Sequence, residues 1–203
     1  MKSRLLFSAA LLGLAACRAD APRSAAAPDS DTIRTIVDSI FPVDEEIRRF
    51  KAAREGISAT ELSNASASRD AALQRFLRAI ETRDSADLRA LTIDAAEFID
   101  LYYPTSVYSH PPYKQSPEIV WLLQQQNSEQ GLRRTLNRFG GQPASLKSYT
   151  CKPEPRVEGK NRIWEECMIT WSHGSASVST IRLFGSIIER DGAFKILSYA
   201  NAL

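Results

Sequence analysis

The strongest constraint on the fold is a change in hydrophobic period at Gly140-Gly141. Before this pair, apolar residues recur at helical spacing, most clearly over residues 73–80. After it, short β-rich runs alternate with polar turns. Helices followed by a run of strands predict an α+β domain in which helices pack on an antiparallel sheet.

Residues 32–67 are interpreted as a helical extension that precedes the domain. An apolar stripe over 33–40 predicts an amphipathic helix, which Pro42 interrupts. The helical pattern resumes over 43–50 in a strongly charged segment, whose charges indicate a solvated face. A polar stretch, residues 56–68, predicts a loop before the domain proper.

The next helices have recognisable end signals. Ser68 is a natural N-cap for the helix that carries the clearest stripe, and a short helical segment over 85–91 follows it. Ser116-Pro117-Glu118 combines a cap residue, a first-turn proline and an acid that suits the helix dipole. It predicts a helix that ends at Gly140-Gly141. Residues 95–104 fit either a strand or a helix.

The two cysteines of the β-rich half lie on either side of a predicted hairpin. Residues 146–152 and 162–172 are β-rich runs joined by a polar turn. Centring the hairpin on Gly159 places Cys151 opposite Cys167, with Tyr149 opposite Ile169 on the same face. An exported chain would allow a disulfide between these cysteines, and two buried free thiols are the alternative.

A second hairpin is predicted at the C-terminal end. A third strand is expected over residues 180–190, Asp191-Gly192 is a strong two-residue turn signal, and a last strand follows over 193–200. One face of these strands would be apolar, through Ile181, Leu183, Ile187, Phe194 and Ile196.

The N-terminus has the layout of an export signal. Lys2 and Arg4 precede an apolar stretch that ends at Ala16, and that stretch is shorter than the roughly 20 residues needed to span a bilayer. Leu14-Ala15-Ala16-Cys17 resembles the lipobox of bacterial lipoproteins. The resemblance implies a signal peptide over 1–16, cleavage before Cys17 and lipid on the Cys17 thiol. The alternative is an ordinary secretory signal that ends in cysteine.

The resemblance to lipoproteins also implies a location. Arg18, rather than Asp, follows the lipidated cysteine, which favours the outer membrane facing the periplasm over the inner membrane. Residues 17–31 are rich in Ala, Pro, Ser and Asp, so that they predict a flexible tether from the membrane.

Charge and motif composition exclude several classes of function. Two of the 26 basic residues, Lys2 and Arg4, fall in the signal segment, which leaves 24 basic against 24 acidic residues. Such a chain has no general electrostatic reason to bind nucleic acid. Two histidines, His110 and His173, without short ligand spacing to the cysteines argue against a structural metal site. The sequence contains no Gly-rich phosphate loop, which would indicate a nucleotide cofactor, and no G-x-S-x-G motif, which would indicate a serine nucleophile.

The order of elements over residues 68–203 resembles the NTF2-like (SnoaL-like) α+β cone. The resemblance rests on the helical segments 71–91 and 119–139 and on the closing hairpin 183–197. It implies N-terminal helices packed on a curved antiparallel sheet of about four to six strands, with a pocket between them.

The resemblance leaves function open, because members use this pocket for catalysis, for binding or for dimer contacts. We expect a membrane-anchored lipoprotein that binds a small apolar ligand or a protein partner without catalysis and without a cofactor. A further hypothesis is that the protein forms a homodimer through the open face of the sheet. Four aromatic residues are candidates to line the pocket, although such residues more often pack in a core: Trp121, Tyr149, Trp164 and Trp171.

The alternative function is a small-molecule isomerase, dehydratase or hydrolase. The steroid isomerases of this fold need a carboxylate base and an acidic hydrogen-bond donor. Asp100, with Tyr102 or Tyr103, could supply those groups. Otherwise Asp100 caps a helix or faces solvent, and the tyrosines pack. His110 is expected to be a loop residue rather than a base.

Overall fold

The computed structural model describes residues 41–174, 177–201 and 203 of the chain. Helices occupy its first part and seven antiparallel strands its second part, so the predicted α+β class and order of elements are confirmed. The signal segment, Cys17, the tether and the 33–40 stripe lie outside the described residues. Within the described part of the chain, no helix is long and apolar enough to cross a membrane.

From residue 41 onward, five α-helices precede the strands. They are α1 (Val43–Ala52), α2 (Arg69–Glu81), α3 (Ser85–Ala90), α4 (Ala95–Glu97) and α5 (Pro117–Phe139). The Ser68 hydroxyl accepts a hydrogen bond from Ala71 N at 3.1 Å, which confirms the predicted cap of α2. Pro117 begins α5 as predicted, but the Ser116 side chain makes no capping hydrogen bond.

The ambiguous segment 95–104 is helical. Asp94 and Glu97 form a capping box that starts α4, since each side chain accepts a hydrogen bond from the other residue's backbone N–H. A π-helical turn, Phe98–Tyr102, and a 3₁₀ turn, Tyr103–Thr105, follow directly. Six of its ten residues are buried, in two runs of three consecutive positions, which explains why its apolar pattern has no clear period.

The seven strands form two open sheets. The strands are β1 (Ala144–Thr150), β2 (Arg156–Glu158), β3 (Asn161–Trp164), β4 (Met168–His173), β5 (Ser177–Ile181), β6 (Ile187–Arg190) and β7 (Ala193–Ile196). One sheet has the order β1-β4-β5 and the other β2-β3-β6-β7. The sequence predicted a single sheet of four to six strands.

The predicted hairpin around Gly159 is split between the two sheets. Pro153 and Pro155 cannot donate to a ladder, so β1 ends before them and β2 begins after them. On the return strand, Glu166 has a left-handed φ of 52° and separates β3 from β4. The outer pair keeps the predicted register, with Tyr149 opposite Ile169.

A disulfide joins Cys151 to Cys167 at the point where this hairpin changes sheets, as predicted. The two cysteines are separated by 16 positions. Closing a loop of that length in the unfolded chain contributes about 3 kcal/mol to stability in the chain-entropy model. The covalent bond therefore keeps the two strands of the hairpin joined where the ladder between them is interrupted.

The predicted strand over 180–190 is also divided, into β5 and β6. Between them Gly185 N donates to Ser198 O at 2.9 Å, so the chain changes sheets while still pairing with the C-terminal segment. The Asp191-Gly192 turn is confirmed, because both residues have positive φ and Arg190 pairs with Ala193.

Two apolar clusters hold the elements together. The first lies between α2, α5 and the sheets and contains Phe76, Leu132 and Trp171. The five residues predicted to share one face of the last strands all lie in or against it. The second cluster joins α1 to the π-helical turn through Phe50 and Phe98, whose ring centroids are 5.8 Å apart.

Candidate functional site

A cleft of about 460 Å³ lies beside the N-terminal half of α5. We call it the Tyr102 cleft. It is bordered by the π-helical turn, the start of β2, the segment between β5 and β6, and the residues after β7. Its lining residues are Tyr102, Tyr108, Gln115, Val120, Leu123, Gln124, Asn127, Arg156, Glu165, Ser186, Leu197 and Ser198.

Arg156, the first residue of β2, carries the positive charge of the cleft wall. Its Nε donates to Glu165 Oε1 at 3.0 Å, and a terminal nitrogen pairs with the buried Glu158. Lys152 lies 3.5 Å from Glu165. Burial alone would raise the pKa of the Glu165 carboxyl, but the hydrogen bonds and charges of Arg156 and Lys152 outweigh it and lower that pKa. The charges of the wall are therefore paired with one another.

Tyr102 places a hydroxyl group beside this pair. Its side chain is almost fully buried. Burial raises the pKa of the phenol, and the charge and hydrogen bond of Arg156 oppose this effect only in part. The hydroxyl is thus neutral at physiological pH and can both donate and accept a hydrogen bond.

A smaller cavity of about 190 Å³ adjoins the cleft, and we call it the Trp121 cavity. The two share Gln124 and Leu197 as lining residues. Gln124 Nε2 donates to the Leu197 carbonyl at 3.0 Å, and this contact lies at the border that the two cavities share. Arg89 and Glu129, at the outer end of the cavity, form a bidentate ion pair at 2.8 and 2.9 Å.

An open depression continues along the outer face of α5. It shares Arg89, Gln125 and Glu129 with the Trp121 cavity and Asn127 with the Tyr102 cleft. The three concavities are therefore contiguous, and we refer to them together as the α5 groove.

The predicted acid–base residues do not meet in this cleft. Both Asp100 oxygens accept hydrogen bonds from Lys51 Nζ, at 3.0 and 3.1 Å, and one also accepts from Ala59 N at 2.9 Å. Asp100 thus ties α1 and the following loop to the π-helical turn and is not among the residues that line the Tyr102 cleft.

Tyr103 is likewise engaged elsewhere. Its hydroxyl donates to the Gln115 carbonyl at 2.7 Å and lies 3.1 Å from Glu46 Oε2. Burial, followed by the negative charge of Glu46, raises the pKa of this phenol. Of the three predicted groups, Tyr102 alone borders the cleft.

The four aromatic candidates for the pocket lining lie in different places. Trp121 is half-buried, packs on Phe98 with ring centroids 5.2 Å apart and borders the Trp121 cavity. Trp171 is fully buried in the first cluster. Trp164 and Tyr149 flank the Arg69 guanidinium, which lies 3.8 and 5.8 Å from their ring centroids. Of the four, Trp121 borders a cavity of this region, and none of them is among the residues that line the Tyr102 cleft.

His110 is exposed and precedes the cis Pro111-Pro112 bond. Among the described residues, no three His, Cys, Asp or Glu side chains are grouped as metal ligands would be.

Comparisons of the chain with family profiles, curated proteins and solved structures found no match.

Most of the residues that form the groove were not predicted from the sequence. The run Gln124-Gln125-Gln126-Asn127 was visible, but uncharged polar residues on a helix usually face solvent. Arg156 begins β2 and Glu165 directly follows β3, and their pairing depends on where these two strands begin and end.

Proposed function

We propose that this protein is a lipid-anchored lipoprotein of the cell envelope whose domain binds a small polar molecule in the Tyr102 cleft without catalysing a reaction. The observation that carries the proposal is the cleft itself. Its volume of about 460 Å³ falls within the range of about 300–1,000 Å³ usual for small-molecule sites. Its polar groups come from several separate elements, which hold them in fixed positions.

The lining favours a polar ligand over the apolar one expected from the sequence. Gln115, Asn127, Ser186 and Ser198 present uncharged donors and acceptors, and Tyr102 adds a hydroxyl. An apolar ligand would displace water from these groups without replacing its hydrogen bonds. Each buried group left unsatisfied costs about 1–3 kcal/mol.

The carboxylates of this region favour binding over acid–base catalysis. Glu165 is the one acid among the described residues that line the cleft, and its pKa is lowered, whereas a general acid at neutral pH needs a raised pKa. Asp100, the carboxylate of the alternative mechanism, is already paired with Lys51. An isomerase or hydrolase would need a different carboxylate.

The proposed fold family is the NTF2-like cone. Support comes from helices α2, α3 and α5, which precede antiparallel strands, and from a concave site between α5, the segment that joins β5 to β6 and the residues after β7. The lipobox-like segment before Cys17 supports the anchor, and Arg18 supports sorting to the outer membrane facing the periplasm.

Lipid attachment can be tested by substituting the acceptor. In a two-membrane bacterium, the full chain is expected to incorporate labelled palmitate and to fractionate with the outer membrane. Cys17→Ser should lose the label and remain unprocessed, because the thioether cannot form. Arg18→Asp is the matched variant: it should keep the label but move to the inner membrane. Equal labelling of the wild type and Cys17→Ser would contradict the anchor.

Ligand binding can be tested by blocking the cleft from its rim. Asn127 is exposed on α5 and lines the cleft, so Asn127→Trp should fill its mouth without disturbing the core. In a thermal-shift screen of polar metabolites on the full chain, a ligand at about 100 times its Kd should raise the wild-type Tm by about 5–10 °C.

The matched control for this test is Asn137→Trp, on the same helix and also exposed. It should respond to the ligand as the wild type does, whereas Asn127→Trp should not respond. If no compound shifts the wild type, or if both tryptophan variants respond equally, binding in this cleft is wrong.

A further inference from the structure

The α5 groove has an unusual density of carboxamide side chains. Five carboxamides on α5 border one or more of its three parts: Gln124, Gln125, Gln126, Asn127 and Gln130. Gln124 also donates to the Leu197 carbonyl, and Gln130 also accepts a hydrogen bond from Arg134. Each carboxamide carries both a donor and an acceptor and no charge. Such a surface complements a ligand whose own groups both donate and accept, as hydroxyl and acetamido groups do.

The formal charges of the groove balance, because it is lined by three arginines, Arg89, Arg133 and Arg156, and three acids, Asp94, Glu129 and Glu165. Arg89 pairs bidentately with Glu129, and Arg156 pairs with Glu165. A charged ligand would have to break one of these pairs or lie beside a group of its own sign. The groove therefore selects for a neutral ligand.

Trp121 adds an aromatic surface at the centre of the groove. Its ring packs against Phe98, which fixes its position, and it borders the Trp121 cavity together with Ile93, Ala95 and Leu197. The cavity thus has an apolar, partly aromatic floor and a rim of amides and hydroxyls. A sugar ring has the matching form, with C–H groups on its faces and hydroxyl groups around its edge.

From these three observations we infer that the α5 groove binds a saccharide chain of neutral or N-acetylated sugars. One ring lies against Trp121, and its neighbours contact Gln125 on one side and the Tyr102 cleft on the other. The Trp121 cavity, at about 190 Å³, suits one ring rather than a drug-sized molecule, whose sites begin at about 300 Å³. This inference rests on the proposed binding function and names its ligand class.

The test is a titration of the full-length protein, in a detergent without a sugar headgroup, with three probes: the N-acetylglucosamine tetramer, maltotetraose and an alanine tetrapeptide. Binding is followed by calorimetry and by tryptophan fluorescence. At least one saccharide should bind saturably and change the emission, because Trp121 is half-buried at the site, and the peptide should not bind.

Variants locate the binding. Gln125 is exposed and borders two parts of the groove, so Gln125→Ala should preserve the helix and weaken saccharide binding about tenfold, the loss of roughly one hydrogen bond. Trp121→Ala should abolish binding. Asn137→Ala, which removes the same kind of amide from the same helix outside the groove, should bind as the wild type does.

Three results would overturn the inference: binding of the peptide alone, binding of neither saccharide, or saccharide binding that both Gln125→Ala and Trp121→Ala leave unchanged. A non-saccharide ligand that Asn127→Trp blocks would then leave the proposed binding function standing. If the protein binds no ligand of any class, both the saccharide inference and the proposed binding function are contradicted.

Discussion

Replacing Lys195 with alanine is expected to lower the free energy of unfolding by about 3–5 kcal/mol. The lysine lies on β7 with a side chain only 2% exposed, and its Nζ donates to both oxygens of Glu97, at 2.7 and 3.0 Å. Glu97 is itself only 1% exposed. Alanine would leave a carboxylate buried without its countercharge.

The size of this effect follows from the number of hydrogen bonds that the buried Glu97 carboxylate accepts. Besides Lys195, its oxygens accept hydrogen bonds from the backbone N–H and hydroxyl of Ser63 and from the backbone N–H of Asp94. One carboxylate therefore links β7, the cap of α4 and the loop before α2. Loss of the lysine removes the link to β7 and leaves the other two links attached to a buried, uncompensated carboxylate.

Urea unfolding of the full chain measures this difference, with the m-value as a check that the unfolding transition is otherwise unchanged. Lys160→Ala is the matched control, because Lys160 is an exposed lysine in the β2–β3 turn. It should stay within about 0.5 kcal/mol of the wild type. A loss below about 1 kcal/mol for Lys195→Ala would show that the pair is not buried as described.

The Gly131→Ala substitution should destabilise the protein by about 3 kcal/mol or more. A Cβ at this position of α5 would lie 1.6 Å from the backbone oxygen of Tyr199 and 2.6 Å from its carbonyl carbon. The obstacle is main chain, which a rotamer change cannot move. The C-terminal segment is also fixed by Asn201, whose Nδ2 donates to Gly131 O and Leu183 O at 3.2 and 3.0 Å.

Helix propensity alone predicts the opposite sign for this substitution. In an exposed helix interior, replacing glycine with alanine stabilises by about 1 kcal/mol. Asn137→Ala, at an exposed position of the same helix, isolates that local effect and should be neutral or slightly stabilising. Thermal unfolding of the two variants gives the comparison. A Gly131→Ala protein as stable as the wild type would mean that α5 and the C-terminal segment are not in close contact.

Elements with local signals were predictable from the sequence. Ser68 as a cap and Asp191-Gly192 as a turn act through neighbouring backbone groups, so a short window contains the necessary information. The Cys151–Cys167 pairing was predictable because the register of a hairpin follows from its centre. The division into two sheets was not, although Pro153 and Pro155 marked the break on one strand.

The candidate site was harder to predict because it depends on tertiary neighbours. Asp100, Tyr102 and Tyr103 were grouped because they are close in sequence, yet successive residues of a helical turn point in different directions. Asp100 reaches Lys51, Tyr103 reaches Gln115, and Tyr102 borders the cleft. No local pattern indicates which of the three directions leads to a concave site.

Native mass spectrometry of the full-length protein, extracted from its own membrane, tests ligand binding most directly. We expect a fraction of wild-type chains to carry one small polar molecule, and addition of the ligand found in the thermal-shift screen to saturate that fraction at one per chain. The Asn127→Trp protein should carry none under the same conditions, while Asn137→Trp should behave as the wild type. Wild-type chains that remain empty at every ligand concentration, or an Asn127→Trp protein loaded to the same extent, would contradict a binding site in the Tyr102 cleft.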